Sequence, residues 1–334
     1  EDGIRDMPTG LVGSEMCIRD SFWIVHLVLL GLFGVEFVFL LSVWLKARVP
    51  GLPEDASRWR KLGAVVAFTL RLLFSRRIWA LLKALITDGM VHRRLYRTDL
   101  RRWAVHIVVF GSWLALGVLS TLTGVVVEIL PLLGMSPEAA ASLPIIGHLF
   151  HADVWWVALL NELLGLTVLA GMILVIFRRY IQKDPQLRTM PADNIAIVLL
   201  TLIALSGFPA ETFRLLADYT TATGVFAPDP TMLPLSKFPP VLYGVWGPQW
   251  AFAGYLSALL LGSLRLNPDV WAVLHNVFFW FHFVLVTALL YYLPFSRLFH
   301  AIASPIVVAY NSLSEQESHR DPRPAGGKMP RLAA

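Results

Sequence analysis

Nine histidines are the residues of this 334-residue chain best suited to chemistry: His26, His92, His106, His148, His151, His275, His282, His300 and His319. An imidazole can hold a metal, carry a proton or bridge two polar groups, and small changes of surroundings move its charge near neutral pH. His282 and His300 are 18 residues apart. On an unbroken α-helix that is five whole turns, which would set both on one face about 27 Å apart, close to the roughly 30 Å thickness of a bilayer's hydrocarbon core. His275 stands seven residues before His282, near the same face, and Pro294 interrupts the stretch between His282 and His300.

The elements that must position these side chains follow from composition. The chain is 56% hydrophobic and 15% charged, against about 25% charged residues in soluble domains. That places it in the membrane class, with the lipid bilayer as its surroundings and no nucleic-acid partner expected. A span needs about 20 mostly apolar residues, because a helix in lipid must satisfy its own backbone hydrogen bonds. Five stretches qualify: Phe22 to Leu45, Trp103 to Val127, Val154 to Phe177, Asn194 to Leu215 and Val270 to Leu293. The run from Trp250 to Leu264 holds 15 residues, a length of interfacial or re-entrant helices. The expected fold is all-α, an integral membrane bundle of five transmembrane helices with cytoplasmic amphipathic helices and a short external helix.

Charge sets the orientation. Lys46 to Arg102 holds 14 Lys and Arg against four acids, whereas Glu128 to Asp153 holds none of either base. Lys and Arg near span ends stay cytoplasmic, so the first segment is expected inside and the second outside. Arg178, Arg179, Lys183 and Arg188 mark the next inner loop, and the long stretch from Ala217 to Asp269 carries only Lys237 and Arg265. Five spans put the basic C-terminus in the cytoplasm of a bacterial or archaeal cell, with the chain multi-pass in its cytoplasmic membrane.

The expected organisation has three parts. Residues 1–20 lack the basic and apolar regions of a signal peptide, and their GSEMCIRDS run resembles translated sequencing-adapter sequence, so they are expected to be non-native or disordered. Residues 21–312 form the transmembrane domain, with 46–102 as a cytoplasmic amphipathic segment and 216–266 as an external loop. Residues 313–334, rich in Pro, Gly and charge, form a disordered cytoplasmic tail. Within 46–102, Arg58 to Leu85 mixes apolar residues with recurring Arg and Lys, as a helix on a membrane surface would. It is alternatively a docking face for a cytoplasmic partner, or a solvated charged face.

With this frame the histidines can be placed. His106 follows the basic run RRWAV and lies just inside the cytoplasmic boundary, and the last span brings His300 to the same level. Two neutral imidazoles from facing helices at one depth are what a six-coordinate haem b requires. The plain alternative for each is an interfacial residue whose polar tip meets headgroups or carbonyls. His282 is deeper, where polar groups are expensive and mark function. Its partner is open between His151, which opens the third span, and His26 in the first. Glu36, Asn161 and Glu162 also sit within spans, as proton carriers or as packed hydrogen-bonding groups. Glu211 and Arg214 are spaced to pair across one helical turn and could border a quinol pocket.

Four blocks carry a resemblance: HRRLYRTDLRRWAVH at 92–106, SGFPAETFRLL at 206–216, LHNVFFWFH at 274–282 and LPFSRLFHAIASP at 293–305. They resemble the gamma subunit of respiratory nitrate reductase and the related cytochrome b membrane subunit of heterodisulfide reductase, from the first span to about Ile306. The resemblance implies a membrane subunit with one or two haems b that oxidises quinol near the external side and passes electrons to a cytoplasmic iron-sulfur subunit. The single cysteine, Cys17, cannot build such a cluster, so it would belong to the partner. By position, His106 and His300 match the ligands of the cytoplasmic-side haem, and His282 matches one ligand of the outer haem. Leu116 stands where the nitrate reductase pattern has a further histidine, and the heterodisulfide reductase type suggests His151 in its place.

Two other classes stand beside this reading. One is an ion transporter using Glu36 and Glu162, against which the lack of inverted repeats counts. The other is a haem-free anchor for a soluble enzyme, held through Arg58 to Leu85. Under the electron-transfer reading terminal catalysis is expected to reside in a partner, with no catalytic residue in this chain.

Overall fold

The computed structural model describes residues 9–47, 52–53, 55–183, 190–233, 237–299, 303–308 and 311, with side chains from residue 24 onward except at 128, 150, 192 and 297. His300, His319 and the tail 313–334 lie outside them. The described chain is helical, without a strand and with only isolated bridges at Val154–Trp246 and Thr220–Phe226. We label its main helices α1 (Thr9–Trp44), α2 (Arg58–Leu73), α3 (Arg77–Ala84), α4 (Leu100–Leu132), α5 (Trp155–Ile181), α6 (Pro191–Tyr219), α7 (Phe252–Gly262) and α8 (Pro268–Tyr292). α1 begins inside the segment expected to be non-native or disordered.

Five helices are long and apolar enough to span a membrane, over Ile24–Trp44, Leu100–Leu132, Trp155–Ile181, Asp193–Tyr219 and Pro268–Phe295. These are the five expected, with boundaries moved by a few residues. Asn267 accepts a hydrogen bond from the Asp269 amide at 2.9 Å and Pro268 opens α8, so the helix starts two residues before its apolar run. α8 ends at Tyr292, and Leu293–Phe295 and Arg297–Phe299 are short 3₁₀ turns. This corrects the expectation of one helical face shared by His282 and His300. Pro294 lacks the amide that would continue the ladder, so the five-turn alignment ends before His300.

The chain forms two compact units. One comprises the described residues up to Gly31 with Ala104–Arg297, and the other Leu32–Trp103 with the described residues from Leu298 on. In the first, α8 packs on α6, α6 on α5 and α5 on α4, and α4 and α8 at the two ends of this row share no extensive interface. The row closes tightly where residues are small. A Cβ on Gly171 of α5 would stand 2.7 Å from Val109 Cγ2 of α4. α7 lays the buried stripe Gly254, Ala258 and Gly262 toward α6, and a Cβ on Gly254 would stand 2.9 Å from Glu211 Cγ. Small residues let backbones approach where lipid supplies no hydrophobic drive.

The best-packed core lies at one end of this unit, called here the capped end. Leu215, Leu216 and Tyr219 of α6 bury there against Val154, Val157, Phe238, Leu242 and Trp271. The loops 133–154 and 220–251 form the cap, joined where the Gly247 amide donates to the Asp153 carbonyl at 2.7 Å. Along the spans, by contrast, Ile24, Val35, Ile173 and Val273 are exposed, as lipid-facing side chains are.

In the second unit the expected amphipathic stretch is two helices, α2 and α3, broken at Phe74–Arg76. Trp59, Phe74 and Trp79 are exposed among the basic residues. Lys61 is buried, its Nζ donating to the Ala47 carbonyl at 3.1 Å. Gly89 packs so closely on Pro305 that a Cβ would stand 2.7 Å from the Pro305 carbonyl oxygen.

Candidate functional site

The turn of α6 that reads Ser206-Gly207-Phe208-Pro209-Ala210 receives two histidines from α8. His282 Nδ1 lies 2.9 Å from Ser206 Oγ, and Ser206 Oγ donates its own proton to the Ile203 carbonyl at 3.1 Å. With the serine proton on Ile203, Ser206 Oγ accepts from His282 Nδ1, an arrangement that leaves Nε2 for another partner. Gly207 makes room, since a Cβ there would stand 3.8 Å from His282 Cε1. One helical level toward the cap, His275 Nδ1 donates to the Ala210 carbonyl at 3.2 Å. A carbonyl only accepts, which fixes the same tautomer. Pro209 sits between these two anchors without an amide of its own.

His106 is the last residue before a π-helical turn, Ile107–Gly111, and stacks on Phe110 with ring centroids 5.3 Å apart and 19° between planes. Such wide turns re-aim side chains and occur often at functional sites. Leu116, where the nitrate reductase pattern has its second histidine, packs with Val109 and Trp113 against Val168, Met172 and Ile197, so it belongs to the seam between α4 and its neighbours.

His151 has a different setting. The Asp153 amide donates to its Nδ1 at 3.1 Å, and its ring meets the Phe238 ring edge-on at 5.1 Å. An accepting Nδ1 puts the proton of the neutral ring on Nε2, the opposite of the His282 tautomer. Burial lowers its pKa below 6.5, outweighing the pull of the Asp153 carboxylate. Asp153 is bound to Arg214 and Tyr219, whereas His282 is bound to Ser206. Arg214 lies eight residues beyond Ser206, about 12 Å along the helix. The structure therefore does not bring His151 and His282 to one depth. His26 does share the level of His282, its ring centroid 6.3 Å from that of Phe283. His148 accepts from Trp156 Nε1 at 3.4 Å, and His92 Nδ1 bonds the Met90 carbonyl at 2.9 Å.

Under the cap lies a charge cluster of which the sequence showed only the Glu211–Arg214 pair. Arg214 donates Nε and Nη2 to the two oxygens of Glu211 at 3.0 and 2.7 Å, and Nη1 to Asp218 at 3.0 Å. It also donates both Nη groups to the buried Asp153. Lys237 Nζ reaches the other Asp218 oxygen at 2.7 Å. Tyr219 donates its hydroxyl to Asp153 and accepts from Trp246 Nε1 at 3.1 Å. Burial pushes the Asp153 carboxyl up, but the Arg214 guanidinium and the hydrogen bonds from Arg214 and Tyr219 outweigh it and hold it below 3.8. Three carboxylates saturate Arg214, so it pins the cap to α6 and has no donor left for a ligand. Asp153 is the hub sequence reasoning missed. The available signal was an acid placed directly before an apolar span in a loop without Lys or Arg.

Glu162, within α5, accepts from the Ala253 amide at 2.9 Å. It thereby caps the N-terminus of α7, whose first turn reaches the depth of Glu162 and Glu211. Glu36, on α1, has one buried carboxyl oxygen without a hydrogen-bond partner among the described residues. Among the described residues no cluster of three His, Cys, Asp or Glu side chains suits a bare metal ion. Haem makes a smaller demand, since the porphyrin supplies four donors and the protein adds one or two imidazole nitrogens. His282, with Nδ1 committed and Nε2 free, fits that role, as ligating histidines give their other nitrogen to a fixed acceptor.

Five spans and a row of packed helices define a multi-pass all-α membrane protein. Comparison with known proteins adds oxidoreductase relatives. Over 154 residues the chain is 29% identical to a subunit of dihydromethanophenazine:CoB–CoM heterodisulfide reductase from Methanosarcina thermophila, covering 46% of this chain and 53% of the relative. The corresponding protein of Methanosarcina acetivorans is 24% identical over 238 residues, 70% of this chain and 68% of its own length. The EtfAB:quinone oxidoreductase of Syntrophomonas wolfei is 22% identical over 315 residues, 93% of this chain and 36% of that protein. The chain thus spans about half the length of the first of these relatives and about a third of the quinone oxidoreductase. No protein-family model and no solved structure matches the chain. The heterodisulfide reductase part of the resemblance stands, and no nitrate reductase protein is among these relatives.

Proposed function

We propose that the chain is a haem b-binding membrane subunit that carries electrons between quinol and a cytoplasmic iron-sulfur partner of a respiratory oxidoreductase. The observation that carries this reading is the contact of His282 Nδ1 with Ser206 Oγ at 2.9 Å, which occupies one ring nitrogen within a span and leaves Nε2 to meet an iron porphyrin. Bound haem would supply reversible one-electron chemistry. The chain's part is to hold the ring nitrogens, exclude water with the apolar faces of α4 and α8, and fix the depth of each centre.

His106 and His300 are proposed for the site at the end opposite the cap, His300 on the sequence alone. His282 is proposed for the site nearer the cap. We assign no haem to His151, which sits in the cap with its Nδ1 accepting from the Asp153 amide. His26, near Phe283, is the remaining partner for His282. One relative is named as a quinone oxidoreductase, and the capped end, external by the charge rule, is proposed as the side where quinol is oxidised.

Haem quantified per purified chain tests this reading. Wild type should hold one or two haems b, and His106→Ala and His282→Ala should each lower the count, whereas His151→Ala should not. A wild-type chain without haem refutes the reading.

A further inference from the structure

His275 takes no part in the ligand set just proposed, yet it is held as carefully as His282. Its Nδ1 proton is committed to the Ala210 carbonyl at 3.2 Å, and Nε2, the remaining ring nitrogen, has no hydrogen-bond partner among the described residues. The ring is half-buried within a span. A half-buried imidazole with its Nδ1 proton committed keeps Nε2 as an acceptor for a ligand's donor. Phe279 follows one turn later with its ring centroid 6.2 Å away and stacks in turn with Phe283 at 6.5 Å and 13°. An aromatic face beside a fixed acceptor suits a planar ring that carries a hydroxyl.

We infer that His275 is the quinol-binding residue of this protein: Nε2 accepts the hydrogen bond of a quinol hydroxyl and takes its proton during oxidation, while Phe279 bears on the ring. The inference rests on the electron-transfer reading above and supplies its substrate contact. His282 is seven residues further on α8, about 10 Å along the helix axis, so the quinol would stand one short step from the proposed iron porphyrin. Conversion of quinol to quinone breaks two O–H bonds and releases two electrons. Nε2 takes each proton in turn and passes it to water at the capped end, and the electrons leave singly, for which a ferric haem held by His282 would be the one-electron acceptor. The charged groups bearing on the ring are Arg214 and Asp218 of α6 and Lys237 of the cap. Glu211 adjoins Ala210 but has both oxygens on Arg214.

The test compares wild type with His275→Gln, each as the full purified chain. Menadiol binding to the dithionite-reduced chain is read by quenching of tryptophan fluorescence, haem content by the reduced-minus-oxidised spectrum, and electron entry by the rate at which menadiol reduces the haem from pH 5.5 to 8.5. The variant should keep its haem and its reduction by dithionite and bind menadiol about tenfold more weakly. It should accept electrons from menadiol on the order of a hundredfold more slowly, without the fall in rate that wild type shows as acid protonates Nε2. Loss of haem in the variant would make His275 a ligand and overturn the inference, as would unchanged menadiol affinity and menadiol rate. Should the variant fold poorly, diethyl pyrocarbonate labelling of the reduced wild type decides: menadiol must protect His275, and labelling that menadiol leaves untouched overturns the proposal. A wild type without haem would defeat the electron-transfer reading alone, because binding and protection are read without it.

Discussion

Replacing Arg214 by Met should do more damage than removing any other single charge under the cap, and the damage should shrink in acid. Arg214 alone bridges Asp153, Glu211 and Asp218, and it reaches all three with its side chain only 16% exposed. Without it, three carboxylates face one another, with Lys237 paired to Asp218. Removing one partner from a buried ion pair costs about 3–5 kcal/mol, since the charge left behind keeps its desolvation penalty. At about 2 °C per kcal/mol for a large chain, the midpoint of thermal unfolding in detergent should fall by about 6–10 °C at pH 7.

The pH dependence gives the sharper check. In wild type the Asp153 carboxyl is held below 3.8. The stability it contributes is therefore complete above that value and is lost as pH falls through the lower folded value. In Arg214→Met the Asp153 carboxylate stays buried without its counter-charge, so its pKa rises, and protonation relieves the repulsion from its neighbours. The gap between variant and wild type should therefore narrow from pH 7 to pH 4.5. A loss of less than about 1 kcal/mol, the value of an exposed pair, or a gap that does not change with pH, would refute the view of Arg214 as the pin of the cap.

Two further outcomes follow from groups whose roles the tertiary contacts define. His151→Gln should flatten the acid side of the stability curve. A folded state that holds His151 neutral, with its pKa below 6.5, is fully stabilised above pH 6.5 and loses that contribution as pH falls toward the folded value. Thermal midpoints from pH 7 to pH 5 read this, and equal slopes in variant and wild type would count against it. Glu162→Leu removes the acceptor for the Ala253 amide and should cost about 1 kcal/mol of local stability at the start of α7. Hydrogen exchange at Ala253 should quicken in Glu162→Leu and much less in Glu162→Gln, and equal exchange in both variants would show that the cap is not made by this side chain.

Much of the molecule was legible in the order of its residues. Five apolar stretches had to become helices, because a backbone in lipid has no other way to satisfy its polar groups, and the short run after Trp250 could only be a non-spanning helix. Pro294 already marked where a shared helical face for His282 and His300 was at risk, and the helix indeed stops at Tyr292. What spacing could not supply was the direction of hydrogen bonds. His151, His275 and His282 are the same residue type, yet an amide donating to one ring and acceptors facing the other two give them opposite free nitrogens. Those partners lie on other helices or across a buried turn, brought there by packing. The same holds for the charges: sequence pairs Glu211 with Arg214 because they share a helix, and only the folded chain adds Asp153, 61 residues away. Periodicity fixes what a residue is and which face it occupies, whereas the donor or acceptor that meets it is decided by contacts between segments that no local pattern encodes.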